Sequence, residues 1–426
     1  MHAVEMRNEA VAAMNNLSSG RRPWRIGLLS VSAIPDDPRV RRQGDLFHAR
    51  GWDVVAVGLP GARSPSPQWP CLAVDDHPGL PARRGLARVR RAKDIALVYA
   101  NPGHADVTYW TLNDRFEKIF ALASQHRADI WLANDWTALP IARRLAAEQG
   151  VPYAYDTHEL AVDEYAHLLR WRLLQRPVIA SIERGGIAGA AVTSCVSQGI
   201  ADRLHALYGL PEKPLLIRNM PYYDVHAFRP CGEPISVLYH GVVNSGRGLE
   251  ACIDSVALWR PEFHLTIRGP GPAAYIESLE TRIRSVGLEG RVALAPPVPM
   301  TDLVKEAALF DIGLFALPGY SAQNVHVLPN KFFEYTMAGL ALCVSDLPEM
   351  TALLRQHGLG RSIPDVSPQA IAAAINGFTR AEIDACKQRS LEAAKLLNWE
   401  TESDRLFAAI ERAVLQGKGT VPDSAQ

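Results

Sequence analysis

Residues 324–350, NVHVLPNKFFEYTMAGLALCVSDLPEM, leave little freedom in how they fold. Pro329 stands where a helix tolerates proline, because a first-turn N–H has no intrahelical partner in any case. The spacing predicts a short helix over residues 330–338, stopped at Gly339, which takes a left-handed cap conformation without steric cost. A buried strand Leu340–Val344 and a second helix start follow. The first N–H groups of such a helix are unpaired and carry the positive end of its dipole. The loop Val327–Asn330, with Leu328 and Asn330, is therefore a seat for an anion. Glu334, one turn further in, can reach what the anion is attached to. A phosphate at a helix start beside a carboxylate that accepts from hydroxyls suits a nucleotide sugar. The same pattern also fits a helix merely packed on a parallel sheet, with Phe332, Phe333 and Met337 in a core and Glu334 in solvent.

A chain of 426 residues, 48% hydrophobic and 21% charged, is long enough for two or three globular domains. Its 45 basic and 45 acidic residues cancel, so no global field draws in nucleic acid and any electrostatic partner is local. The six cysteines, at 71, 195, 231, 252, 343 and 386, form no CxxC pair, which argues against a zinc site or a disulfide framework. Reduced thiols in a cytoplasmic compartment are the expectation. Glu5 and Glu9 interrupt the opening residues, so no signal peptide is expected, and no stretch approaches the roughly eighteen apolar residues of a membrane span. Residues 83–93, RRGLARVRRAK, read either as a solvated helix face or as a peripheral contact with an anionic membrane surface on its inner face. His167–Ile179 mixes Leu168, Leu169, Trp171, Leu173 and Leu174 with Arg170, Arg172 and Arg176; it can join such a membrane contact, but internal packing is the expectation.

The rest of the chain alternates apolar runs with helical patterns, the signature of a doubly wound parallel sheet. Ile26–Val31 is a strand, followed by a helix over Arg39–Arg50 and a strand Trp52–Leu59. Strands over Asp129–Ala133 and Pro152–Tyr155 run into Asn134-Asp135 and Asp156-Thr157-His158-Glu159. Functional residues in open α/β sheets gather at such carboxyl ends, so the two ends point into one crevice. His158 is the residue to single out, although a lone histidine is equally often a hydrogen-bonded part of the framework. After Phe228-Arg229-Pro230-Cys231-Gly232-Glu233-Pro234, a Pro- and Gly-bearing linker, a second domain opens with the strand Ile235–Tyr239. The loop His240 to Gly248 then leads to a helix over Leu249–Trp259. Its glycines let backbone N–H groups approach a diphosphate, and Arg247 adds a fork matched to phosphate. Gly269-Pro270-Gly271 after the next strand is not GxGxxG, so a dehydrogenase has little support. A long amphipathic helix over Trp399–Leu415 closes the pattern.

The run PNKFFEY, Pro329–Tyr335, with its small-Gly turn and a strand ending in Ser345-Asp346, resembles the signature of retaining glycosyltransferases of family 4. The DPRVRR segment Asp37–Arg42, the DTHE string Asp156–Glu159 and the Arg218-Asn219-Met220-Pro221 strand end resemble the same family's first domain. The resemblance covers roughly residues 24–416. It implies the GT-B fold: two doubly wound Rossmann-like domains facing across a cleft, with the last helix crossing back to the first domain. The organisation expected is a mobile N-terminus 1–23, an acceptor-side domain 24–228, a linker 229–234, a nucleotide-sugar domain 235–398, a crossover helix 399–416 and a disordered tail 417–426.

The activity implied is transfer of a sugar from a nucleoside diphosphate sugar, UDP- or GDP-linked, to a hydroxyl of a saccharide or lipid-linked saccharide. The anomeric configuration would be retained and no metal or other cofactor used, as in polysaccharide biosynthesis. Gly241, Arg247, Gly269, Leu328, Asn330, Lys331 and Glu334 are the implied donor residues, with Glu334 on the ribose. His158, implied beside the anomeric centre, makes up the expected catalytic set with His326 and Glu334, and Asp37, Arg39, Asn134, Asp135, Asp156 and Glu159 are on the acceptor side. Two departures stand out. The family's first glutamate, eight residues before Glu334, is here His326, and the basic residue after the loop's first glycine is here Val242, leaving Arg247 alone or with Lys331. Two other readings fit the same fold: a nucleotide-sugar epimerase, or a sugar-nucleotide-binding protein without turnover.

Overall fold

The computed structural model describes residues 22–75 and 93–418. The basic segment 83–93 lies outside the described residues apart from Lys93, as do most of the N-terminal stretch and residues 419–426. The chain divides into two compact units. One runs to Ile217 and takes in residues from Ser403 onward; the other is Arg218–Glu402.

The first unit is built on seven parallel strands in the order β3-β2-β1-β4-β5-β6-β7. They are β1 Arg25–Leu29, β2 Asp53–Gly58, β3 Cys71–Ala73, β4 Ile130–Asn134, β5 Tyr153–Asp156, β6 Val192–Cys195 and β7 Leu215–Leu216. β1, β2, β4 and β5 are almost wholly buried, as expected of parallel strands covered by helices on both faces. The strand order reverses at β1, which pairs with β2 on one side and β4 on the other. The sequence pattern misses β3, whose three residues follow Trp69-Pro70 and carry no period of their own.

The second unit has six parallel strands in the order β10-β9-β8-β11-β12-β13. These are β8 Ile235–His240, β9 Phe263–Arg268, β10 Val292–Ala295, β11 Ile312–Phe315, β12 Ala341–Ser345 and β13 Gly360–Ile363. The reversal here falls at β8, between β9 and β11. One continuous core runs through the unit, from Val237 and Leu265 in the sheet to Phe332, Phe333 and Ile375 on the helices. Residues 218–234 group with this unit. Gly232 N–H donates to Asp311 Oδ1, Cys231 N–H donates to Asp384 Oδ1, and Trp399 N–H donates to Pro221 O.

The final helix, Trp399–Lys418, starts in the second unit and belongs to the first from Ser403. Phe407 packs against Phe47 and Trp52, with ring centroids 5.6 and 5.8 Å apart, which is the return to the first domain that the resemblance implies. Gly417 lies inside this helix, where the sequence pattern places the start of the tail. The helix after the glycine loop is also shorter than its periodicity predicts, ending at Val256. A further correction concerns His167–Ile179. Only its end packs inward: the helix Leu169–Leu174 has no buried residue, while Val178 and Ile179 lie in the core. Among the described residues no helix is long and apolar enough to cross a membrane.

Glu183, a buried carboxylate of the first unit, is in no ion pair among the described residues. Glu183 accepts from Tyr155 Oη at 2.7 Å and from Tyr208 Oη at 2.6 Å, and burial pushes its pKa up to about 7. Between the unfolded value near 4.5 and about 7 the folded chain therefore holds a proton that the unfolded chain has released. Stability falls as pH rises through that window, by roughly 3 kcal/mol in all, because each tenfold difference in proton affinity is worth about 1.4 kcal/mol. Glu183→Gln is expected to remove this slope, so that the variant is the more stable chain at pH 8 and gains nothing at pH 4.5, as read by urea denaturation at the two pH values.

Candidate functional site

In an open parallel sheet, loops diverge at the strand order's reversal and leave a crevice outside the carboxyl ends. In the second unit that place is the end of β8 and β11, and it holds an unusual cation. Lys331, in the first turn of the helix Asn330–Met337, projects over the rings of Tyr239 of β8 and Phe315 of β11. Its Nζ is 4.4 and 4.3 Å from their centroids. It makes no ion pair among the described residues. Burial, then the charge of Arg247, push its pKa down to about 7, against a raising contribution from Glu334. Arg247 is exposed in the loop after β8 and likewise has no ion-pair partner among the described residues. The two side chains thus lie close enough to feel each other's charge, and neither is in an ion pair among the described residues.

The glycines of the site act through close approach. Gly241 has φ 127°, and a Cβ there would lie 2.8 Å from Lys331 Nζ. Gly269 has φ 153°, and a Cβ on it would stand 1.8 Å from Gly241 O, so the loops after β8 and β9 can meet only without side chains. Any larger residue would move the Gly241 backbone away from the lysine.

Glu334 is buried, which excludes the solvated alternative. Its Oε2 lies 2.9 Å from Nε2 of His240, the last residue of β8. The His240 ring stacks on Tyr335 at 4.7 Å, and its backbone N–H donates to Tyr335 Oη. His240 and Tyr335 are the residues that sequence reasoning passed over. The available signal was position: His240 ends the strand at which the order reverses. Leu328 is a correction of another kind, because its side chain is packed in the core and only its backbone can face a ligand. Asn330 opens the helix. His326 ends a separate short helix, Ala322–His326, whose start is capped by Ser321 Oγ.

The carboxyl ends of β4 and β5 in the first unit carry the chain's only two described non-glycine residues with positive φ, Asp135 at 68° and His158 at 51°. The strands are in register with Asn134 beside Asp156. Backbone held in this region costs about 1–3 kcal/mol per residue and persists where the surroundings impose it. His158 Nε2 is 2.9 Å from Asn134 Oδ1 and 3.5 Å from Asp156 Oδ2. With a carboxamide oxygen and a carboxylate on that side, Nε2 carries the proton and Nδ1 is left as acceptor. Burial lowers the His158 pKa, with Arg39 adding to the effect and Asp156 opposing it, so the neutral ring is favoured. Burial holds Asp135 well above the usual carboxylate range, with Glu159 adding to the rise. Glu159 itself is exposed.

Three of the acceptor-side residues have other work. Asp156 and Arg39 are both fully buried and form a bidentate pair through Nε–Oδ2 and Nη2–Oδ1, the second at 2.6 Å. Gln43 Nε2 and Ser194 Oγ donate to the same carboxylate at 2.6 and 2.9 Å, and these partners hold its pKa below the usual value against its burial. Asp37 caps the helix Pro38–Ala49, accepting from the N–H groups of Arg39 and Val40. Arg39 and Asp156 are thus buried in the framework under His158, while Asp37 is half-buried at the helix start.

Comparison with protein families supplies what geometry does not. Residues 37–219 match the family model described as Glycosyl transferase 4-like domain, and residues 234–380 match that described as Glycosyl transferases group 1. The chain is a glycosyltransferase of the GT-B type. Among solved structures it is similar to sucrose-phosphate synthase from Thermosynechococcus elongatus, at 16% identity and TM-score 0.71, covering 92% of this chain and all of that one. HepE from Anabaena, in a structure containing UDP and glucose, matches at 14% identity and TM-score 0.67, over 91% of this chain and all of that one. An Escherichia coli structure titled trehalose-6-phosphate, bound with UDP-2-fluoro glucose, matches at 12% identity and TM-score 0.59, over 91% and 99% of the two chains. No curated protein matches this chain.

Removing one partner of a buried ion pair leaves the other charge stranded, at a cost of about 3–5 kcal/mol. Asp156→Asn is therefore expected to lower the urea midpoint of this glycosyltransferase markedly, whereas Glu159→Gln, on the surface, is expected to leave it within about 0.5 kcal/mol of the parent.

Proposed function

We propose that the protein transfers a sugar from a nucleoside diphosphate sugar to a hydroxyl of a saccharide or lipid-linked saccharide, with retention at the anomeric carbon. The observation that carries this reading is the pair Lys331 and Arg247. Two cations lie beside glycine backbone at the β8–β11 reversal, and neither has a carboxylate partner among the described residues. A diphosphate supplies the missing charge. In this reading Arg247 and Lys331 neutralise it as it leaves, without a metal ion, aided by the N–H groups at the start of the helix Asn330–Met337. UDP is the first nucleotide to try, since the structures of HepE and of the Escherichia coli protein contain it or its sugar derivative. GDP is the second.

Glu334 then accepts from ribose hydroxyls, and His240 fixes its carboxylate. His326 stands where the family's other glutamate would meet the donor sugar. A histidine there donates and accepts one hydrogen bond each, where a carboxylate only accepts, so the hydroxyl it reads has a different hydrogen-bond polarity. His158 acts on the reacting face of the sugar as a neutral ring, its Nδ1 available to a hydroxyl proton or to an oxocarbenium-like centre. An epimerase has no specific observation in its favour beyond the shared fold.

Nucleotide-dependent thermal stabilisation tests the donor site. At about one hundred times its Kd a nucleotide that binds only the folded chain stabilises it by about 2.7 kcal/mol. UDP is expected to do so, and Arg247→Ala to weaken UDP at least about tenfold, the worth of one charge-assisted hydrogen bond. His158→Ala is expected to leave UDP affinity unchanged while lowering kcat by about a hundredfold or more with UDP-glucose and a saccharide acceptor. An unchanged kcat would remove His158 from the chemistry.

A further inference from the structure

The first unit carries an apolar surface that neither the donor site nor the framework under His158 explains. The helix Leu169–Leu174, LRWRLL, has no buried residue. Leu168, Leu169, Leu173 and Leu174 are 38–61% exposed, with Leu169 the most open. Leucines scattered singly on a surface need no explanation, but four within seven residues do. Arg170 and Arg172 lie between them, both exposed and without an ion pair among the described residues.

The segment is held in place. Trp171 Nε1 donates to Val162 O at 3.4 Å, and its ring meets Tyr165 edge-on at 4.9 Å. Tyr99 Oη donates to Leu173 O at 2.8 Å. Trp171 therefore turns towards the protein while the leucines turn away from it. A short helix pinned by one tryptophan, with leucines outward and unpaired arginines among them, combines apolar burial with attraction to negative charge. That combination matches the boundary between headgroups and acyl chains of an anionic bilayer. It suits a second copy of this chain less well, because two copies meeting through this patch would bring the arginines of each against those of the other.

We propose that Leu168–Leu174 is a docking surface for an anionic lipid bilayer, entered by the leucines and anchored by Arg170 and Arg172. The proposal does not depend on the nucleotide-sugar reading. It rests on other residues than the basic segment 83–93, and replacing the leucines separates the two.

The test is co-sedimentation of the full chain with vesicles of phosphatidylcholine containing about 30% phosphatidylglycerol, against pure phosphatidylcholine and against added salt. The parent chain is expected to partition onto the anionic vesicles and to come off as salt rises. Leu169→Ser/Leu173→Ser is expected to lose about tenfold or more in partition, since each buried leucine contributes substantially to interfacial binding. Arg170→Gln/Arg172→Gln is expected to lose the preference for anionic lipid. All chains are expected to melt at the same temperature, as no buried side chain is changed. Failure of the parent to partition, undiminished partition of the leucine variant, or equal binding to neutral vesicles would overturn the proposal. So would a parent dimer in sedimentation equilibrium that the leucine variant abolishes while vesicles leave it intact, because the patch would then belong to a second copy.

Discussion

A lysine side chain laid over two aromatic rings, in no ion pair among the described residues, governs the second unit. The rings of Tyr239 and Phe315 come from the two strands between which the sheet order reverses, so the fold itself fixes where the charge stands. Aromatic faces attract a cation by about 0.5–2 kcal/mol, less than the hydration it gives up; burial and the charge of Arg247 lower the lysine's pKa. Gly241 and Gly269 keep side chains out of the space around Nζ, and Arg247 adds a second charge of the same sign. Such a site is destabilised when empty. An anion would relieve it, which links the backbone constraints to the binding proposed above.

The first unit solves the opposite problem. Arg39 and Asp156 are equally buried, but they have each other, and Gln43, Ser194 and the Ile217 carbonyl satisfy what remains. This network ties the first helix to the ends of β5, β6 and β7. It also holds the residue two positions after Asp156, His158, in a left-handed conformation beside Asn134. The His158 ring is thus set by groups buried beneath it.

The regular part of the fold was legible because it rests on local pattern. The strand expected over Ile235–Tyr239 follows from its apolar run alone and extends only to His240, and the Gly339 stop is a cap whose φ of 71° only glycine adopts readily. The pairings were not legible. Arg39 meets Asp156 across 117 positions, and nothing in DPRVRR or DTHE distinguishes a buried pair from two ligands of an acceptor. Glu334 meets His240 in the same way, through a sheet register that the sequence does not state. Leu328 shows the converse error: in a motif its place implies contact with the donor, but a leucine between two helices buries its side chain. For the leucines of 168–174 a membrane contact ranks below internal packing in the sequence, because an apolar run in a globular chain is ordinarily core.

The central claim, that Lys331 awaits a diphosphate, is tested most directly by protons. With a pKa of about 7 the free lysine is mostly neutral at pH 8, and a diphosphate beside it restores the charge. Calorimetry of UDP binding at pH 8, in two buffers of different ionisation enthalpy, is expected to report uptake of close to one proton per nucleotide. That uptake should vanish in Lys331→Met and shrink towards pH 6. Binding without proton uptake, at an affinity that does not change between pH 6 and pH 8, would contradict the account.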